Sequence, residues 1–178
     1  MIVLGLSGSL RRDSYNTRLL YAAATRLPVG ARLSIFDGLA AIPPYNEDRV
    51  ADASVAALRE AIGAADAVLI ATPEYNASVP GQLKNALDWA SRPFPDNALR
   101  HKPVAVVGAS TGLFGAVWAQ AELRKVLATI GASVIDGGVA VGLAHDAFDE
   151  ADDLVDADLR SSLAEVVHQL VSAVRVAA

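Results

Sequence analysis

"DAVLIATPEYNASVPGQLKNALDWASR", residues 66 to 92, holds a strand, a polar loop and a helix in one run. "DAVLIATP" (66 to 73) is a near-continuous apolar stretch, as a strand covered on both faces requires. Pro73 stops it, because proline has no N–H for a sheet interior. "PGQLKNALDWASR" (80 to 92) is a helix with Pro80 in its first turn, where a missing N–H does no harm. A buried strand followed by a helix is the unit of a parallel sheet.

The same alternation extends both ways. "MIVLGLS" (1 to 7), "ARLSIFD" (31 to 37) and "KPVAVVGAS" (102 to 110) are strands. "ASVIDGGVAVG" (132 to 142) is a fifth, interrupted at Gly137 and Gly138. Helices are expected from about Asn16 to Pro28, over 52 to 65 with Asp52 as cap, over 115 to 131 closed by Gly131, and over 152 to 177 with acidic first turns. "GLAAIPPYNEDRV" is a loop. Five strands alternating with helices predict one α/β domain over residues 1 to 178, a parallel sheet with helices on both faces.

Composition narrows the function. The chain has 178 residues, 53 % of them hydrophobic, and a net charge of -5. No basic stripe suggests nucleic acid as a partner. No apolar run reaches membrane length and no signal-type start is seen, so a cytoplasmic location is expected. With no cysteine, thiol chemistry and thiolate metal sites are excluded. His101, His145 and His168 lack metal-ligand spacing, and no metal is expected.

In open parallel sheets, ligands bind beyond the carboxyl ends of the strands. The loops there are "SGSLRRDSYN" (7 to 16), "PEYNASVPG" (73 to 81) and "ASTGLFG" (109 to 115). The first precedes a helix N-terminus, whose free N–H groups and dipole attract anions. Ser9, Ser14, Asn16 and Thr17 add polar side chains and Arg11 a cation, which suits a terminal phosphate. Helix capping by Ser14 or Asn16 is the plainer alternative, although it needs only one such residue.

Neither a Walker lysine nor a G-x-G-x-x-G fingerprint is present, which leaves a mononucleotide. Asp37, at the end of strand 2, reads as a loop or cap residue rather than a ribose ligand. Tyr75 offers an aromatic surface beside Pro73 and Glu74, and Ser110, Thr111 and Gly112 allow close backbone approach. A flat ring between these loops with its phosphate in the first loop describes FMN. Arg12 and Asp13 read as solvated, Lys84 and Asp88 as a surface pair, Trp89 as core or interface, and His145 as a loop residue.

The chain resembles the NADPH-dependent FMN reductase family of flavodoxin-like proteins, which includes bacterial quinone, chromate and azo reductases. The resemblance rests on "GSLRRDSYN" (8 to 16), "TPEYNASVPGQLKNALDWASRP" (72 to 93), "KPVAVVGASTG" (102 to 112) and "AQAELRKVL" (119 to 127). It implies a flavodoxin-like three-layer sandwich with strand order 2-1-3-4-5. It places Ser9, Arg11, Ser14 and Asn16 at the FMN phosphate. Pro73, Glu74, Tyr75 and Asn76 are placed at the isoalloxazine and ribityl portion, and Ser110 and Gly112 at the third flavin-flanking loop. "AQAELRKVL", with Arg124, is similar to a stretch at subunit contacts, which implies a homodimer or homotetramer with the site near the interface. "LFGAVWAQ" (113 to 120) departs from the Gly-Gly pair frequent in relatives, and residues 141 to 156 match only loosely.

The implied reaction passes electrons from NAD(P)H through tightly bound FMN to a small acceptor such as a quinone, azo compound, chromate or free flavin. One open flavin face serving both partners implies ping-pong kinetics. The flavin carries the chemistry, so no catalytic side chain is expected. The rival readings are a flavodoxin-type electron carrier without NAD(P)H turnover and a fold relative that has lost the flavin. Carriers are usually more strongly acidic than this chain.

Overall fold

The computed structural model describes residues 1–177. The sheet runs in the order β2 (Arg32–Ile35), β1 (Ile2–Ser7), β3 (Ala67–Thr72), β4 (Pro103–Ala109), β5 (Ser133–Val134), with all pairs parallel. A sixth strand, β6 (Ala140–Val141), also pairs with β4.

Strand residues alternate between two cores, following the two-residue period of a strand. Leu4, Leu6, Val68, Ile70, Val104 and Val106 pack on α2 (Ala53–Ala64), α3 (Gly81–Ala90) and α4 (Val117–Ile130). Val3, Leu69, Ala105 and Val107 face α1 (Tyr15–Ala24) and α5 (Ala157–Ala177). β3 and β4 are buried along their whole length, which accounts for their unbroken apolar sequences. Trp89 is buried, and its indole N–H donates to the Pro43 carbonyl at 2.8 Å, so it belongs to the core.

Several expected boundaries hold. Asp52 Oδ1 accepts from the Ser54 and Val55 N–H groups at the start of α2. Gly131 closes α4 at φ 101°. Lys84 and Asp88 pair at 2.7 Å on α3. Among the described residues no helix is long and apolar enough to cross a membrane.

Two helix boundaries differ from the sequence reading, and α1 is one of them, ending at Ala24 rather than near Pro28. The last helix begins at Ala157 rather than 152, capped by Asp156, whose carboxylate accepts from Leu159 N–H at 2.9 Å. The acidic residues before it form a tight loop instead. Asp149 Oδ1 accepts from both Ala151 and Asp153 N–H at 2.9 Å, a local bond that competes with helix.

The fifth strand is two short pieces, giving six strands instead of five. The Arg124 guanidinium takes the place of the missing ladder, donating to the Val106 carbonyl at 2.9 Å and to the Gly137 carbonyl at 3.3 Å. A Cβ at position 138 would lie 2.0 Å from Arg124 Nη2, so a glycine there makes room. Burial pushes the Arg124 pKa down, against the opposing field of Asp136.

Candidate functional site

The three polar loops converge at the carboxyl ends of β1, β3 and β4 on a cleft of about 100 Å³. Nine of the residues singled out from sequence line it: Ser9, Arg11, Ser14, Asn16, Pro73, Glu74, Tyr75, Ser110 and Thr111. Tyr15 and Ala109 line it as well. Thr17, Asn76 and Gly112 are not among its lining residues.

The first loop is built around a helix cap. Ser14 is 3 % exposed, and its Oγ accepts from Asn16 N–H at 3.2 Å and Thr17 N–H at 3.3 Å. The plainer reading of Ser14 is therefore real, yet the cap uses only its lone pairs. The hydroxyl proton stays available to an anion. Ser9 is similar: buried, accepting from Arg11 N–H at 3.4 Å, with its own proton uncommitted. Arg11 is exposed, and its guanidinium makes no ion pair or hydrogen bond among the described residues.

Asn16 and Thr17 sit differently from the expected phosphate ligands. The Asn16 side chain is buried and pairs twice with one residue of β4. Its Nδ2 donates to the Ala109 carbonyl and its Oδ1 accepts from Ala109 N–H, both at 3.0 Å. This latch ties the start of α1 to the end of β4, and it leaves one amide N–H of Asn16 over. The Thr17 hydroxyl turns toward the sheet and donates to Ser7 Oγ at 2.9 Å.

The second loop folds as a tight turn. Tyr75 and Ser78 exchange two backbone hydrogen bonds at 3.1 Å across Asn76 (φ 53°) and Ala77 (φ 60°). Two central residues at positive φ are the type I′ geometry, which favours asparagine. Asn76 thus shapes the turn, while Tyr75 is left 48 % exposed at the cleft.

Two carboxylates then tie this loop to α4. The start of α4 has no side-chain cap of its own. Glu74 Oε2 supplies one, accepting from Trp118 and Ala119 N–H at 3.0 Å. In the other direction, Glu122 of α4 accepts from Ser78 Oγ at 2.7 Å and Val79 N–H at 3.3 Å. Sequence reasoning placed Glu74 at the cleft and missed its capping partner, because Trp118 lies 44 positions away.

The third loop is held by close backbone contacts. Ser110 Oγ accepts from Gly112 N–H at 3.1 Å. Gly115 (φ 60°) passes so near β6 that a Cβ there would meet the Ala140 carbonyl carbon at 2.5 Å. Ala116 follows at φ 63°, so both positions of the departure from Gly-Gly are left-handed. Leu113, Phe114, Trp118 and Leu143 are each about half exposed or more, and Phe114 and Trp118 pack edge to face with centroids 5.2 Å apart.

A phosphate-sized cleft at a helix N-terminus, flanked by an aromatic turn and a glycine-bearing loop, invites comparison with known proteins. The sequence model of the family described as "NADPH-dependent FMN reductase" matches residues 1–146. The chain belongs to this family. The "NAD(P)H-dependent FMN reductase" of Pseudomonas aeruginosa is 43 % identical over 172 residues, covering 94 % of this chain and 92 % of that protein. The "Quinone reductase" of Escherichia coli strain K12 is 41 % identical over 138 residues, covering 75 % and 73 %. The solved structure of FerB, a flavoenzyme NAD(P)H:(acceptor) oxidoreductase from Paracoccus denitrificans, superposes with a TM-score of 0.87 at 36 % identity, covering 98 % of this chain and 97 % of that one. The reaction class follows from this membership: NAD(P)H-dependent oxidoreduction with FMN.

Other features noted in the sequence lie outside the cleft. His145 is exposed beside Asp146, at 3.1 Å. Asp37 precedes a short 3-10 turn, Gly38–Ala41, without a side-chain capping bond. A larger groove of about 470 Å³ lies between α3 and α4 and includes Lys84, Asp88, Glu122 and Lys125. It meets neither the polar loops of β1 and β4 nor the start of α1, so the smaller cleft is the better candidate.

Proposed function

We propose that the cleft holds the phosphate end of FMN, and that the protein uses the flavin to pass electrons from NAD(P)H to a small organic acceptor, with a quinone as the favoured class. The observation that carries this reading is the pair of buried hydroxyls, Ser9 and Ser14, with uncommitted protons, in the same cleft as Arg11, which has no partner among the described residues. These groups match the donor needs of a phosphate at a helix N-terminus. The enclosed volume of about 100 Å³ falls below the roughly 300–1,000 Å³ of whole-ligand sites, so it suits the anionic end and leaves the remainder to the open side.

FMN supplies the hydride chemistry when bound. Ser9 and Ser14 donate to the phosphate, and Arg11 balances its charge. Pro73, Tyr75, Ser110 and Thr111 bound the cleft between the two other loops. Glu74 keeps those loops in register by capping α4. No side chain has to act as acid, base or nucleophile. A single open side serving donor and acceptor in turn gives ping-pong kinetics, read as parallel double-reciprocal plots. The quinone assignment is supported by the activity for which the E. coli relative is named and by the exposed apolar side chains of Leu113 and Phe114 on the third loop and Trp118 on the first turn of α4.

This exposed apolar group also supports a homo-oligomer in which a second copy covers the loops. Light scattering on the purified protein tests this, and Trp118→Glu is expected to shift the assembly toward monomer. A cytoplasmic location fits the supply of NAD(P)H. For the function as a whole, the protein is titrated with FMN and then mixed anaerobically with NADH or NADPH. Flavin bands that one of them bleaches are expected. Absence of bound flavin contradicts the cofactor assignment, and bound flavin that neither bleaches indicates an electron carrier.

A further inference from the structure

Residues 147–156 follow the part of the chain that the family's sequence model matches, and they pack back against α1. Phe148 is 9 % exposed and lies against the first turn of α1. The Tyr15 ring stacks on it, with centroids 6.2 Å apart and planes 11° from parallel. The Arg18 guanidinium carbon sits 4.9 Å from the same ring's centroid. Tyr15 and Arg18 are three residues apart, so they share one face of the helix and hold the ring between them.

The loop that presents Phe148 is stiff. Phe148 and Leu154 form an antiparallel bridge. Asp149 N–H donates to the Asp153 carbonyl at 2.9 Å, and the Asp149 carboxylate accepts from two further N–H groups. Asp152 is held at φ 62° and pairs with Arg18 Nε. Arg18 also donates to the Asp149 carbonyl at 2.6 Å, and Arg26 pairs with Asp153 at 2.7 Å. Arg18 of α1 and Arg26, just past its C-terminal end, therefore fasten the acidic loop to the helix whose start borders the cleft.

Tyr15 is the first residue of α1, next to the capping Ser14, and it lines the cleft. We propose that Phe148 is a positioning residue for the FMN site: its ring fixes the Tyr15 side chain as a wall of the cleft, in a stack that Arg18 and Asp152 hold in place. The proposal rests on the reading of the cleft as the FMN site. Arg18, faced by Asp152, is committed to this loop, and Arg11 remains the cation of the cleft.

The test is a double-mutant cycle on FMN affinity, read by flavin fluorescence quenching, with Phe148→Leu, Tyr15→Leu and the pair. Leucine keeps apolar bulk and removes the ring. Phe148→Leu is expected to weaken FMN binding about three- to tenfold, as loss of an aromatic pair implies, and Phe148→Tyr to restore it. In the Tyr15→Leu background, Phe148→Leu is expected to change affinity less than twofold, because its route to the cleft is gone. Additive losses, or no loss with Phe148→Leu alone, overturn the proposal. A second readout needs no flavin. The apoprotein is labelled with 3-fluorotyrosine, and the Tyr15 resonance is assigned with Tyr15→Phe. Phe148→Leu should shift and sharpen that ¹⁹F line, and an unchanged line overturns the proposal. If wild-type protein binds no FMN, the cofactor reading fails, and the ¹⁹F line still decides whether Phe148 holds Tyr15.

Discussion

Replacing Asn16 with alanine separates a structural latch from a phosphate ligand. The carboxamide makes two hydrogen bonds of 3.0 Å to Ala109, and both residues are buried. Asn16→Ala removes both bonds and leaves the Ala109 N–H and C=O without these partners. Each net hydrogen bond contributes about 1 kcal/mol, and an orphaned buried group costs about 1–3 kcal/mol. Partial solvation through the neighbouring cleft offsets some of this, so the expected loss is about 2–4 kcal/mol. At about 2–4 °C per kcal/mol for a chain of this size, Tm falls by roughly 5–15 °C. The assay is thermal and urea unfolding of the apoprotein, where no flavin contributes. A ligand role alone would leave the apoprotein unchanged and weaken only FMN binding. A Tm shift under 2 °C in the apoprotein would refute the latch.

Three other perturbations follow from the loops and caps. Glu74→Ala removes the cap of α4, with an expected loss of about 1 kcal/mol and faster hydrogen exchange at residues 117–120; unchanged exchange there contradicts the capping role. Gly115→Ala forces a methyl group into the Ala140 backbone at a positive φ, and should cost about 2 kcal/mol or more in urea unfolding. Asp52 has its pKa held below 3.8, chiefly by the Ser54 hydroxyl, so its folded pKa lies under its unfolded one. Its stabilising effect is complete above pH 3.8 and is lost as pH falls through the lower folded value, so Asp52→Asn should flatten stability against pH in that window alone.

Much of the fold was legible because the sequence signals were local. Pro73 ends a strand, Asp52 caps a helix and Gly131 closes one, each through its own backbone chemistry. The break in the fifth strand was visible in Gly137 and Gly138, but its cause was not. The Arg124 side chain comes from a helix earlier in the chain and fills the gap. The acidic run before α5 read as a favourable helix start, and Asp149 captured its backbone instead. The three loops of the site were legible from composition and from their place after strands. The partners within them were not, since Asn16 with Ala109 and Glu74 with Trp118 are pairs set by the fold rather than by sequence spacing. Tyr15 was missed for a related reason: nothing local marks a tyrosine after a cap as a wall, and the ring behind it is Phe148.

The phosphate assignment is the centre of this account, and comparing FMN with riboflavin tests it most directly. The two ligands differ only in the phosphate. Dissociation constants for both are measured for wild type and for the Ser9→Ala, Arg11→Gln double variant, which leaves the Ser14 cap and the Asn16 latch in place. A charge-assisted hydrogen bond contributes about 1.5–3 kcal/mol, so FMN affinity is expected to fall at least tenfold. Riboflavin affinity is expected to stay within twofold. Equal losses for both ligands, or unchanged FMN affinity, would contradict the placement of the phosphate in this cleft.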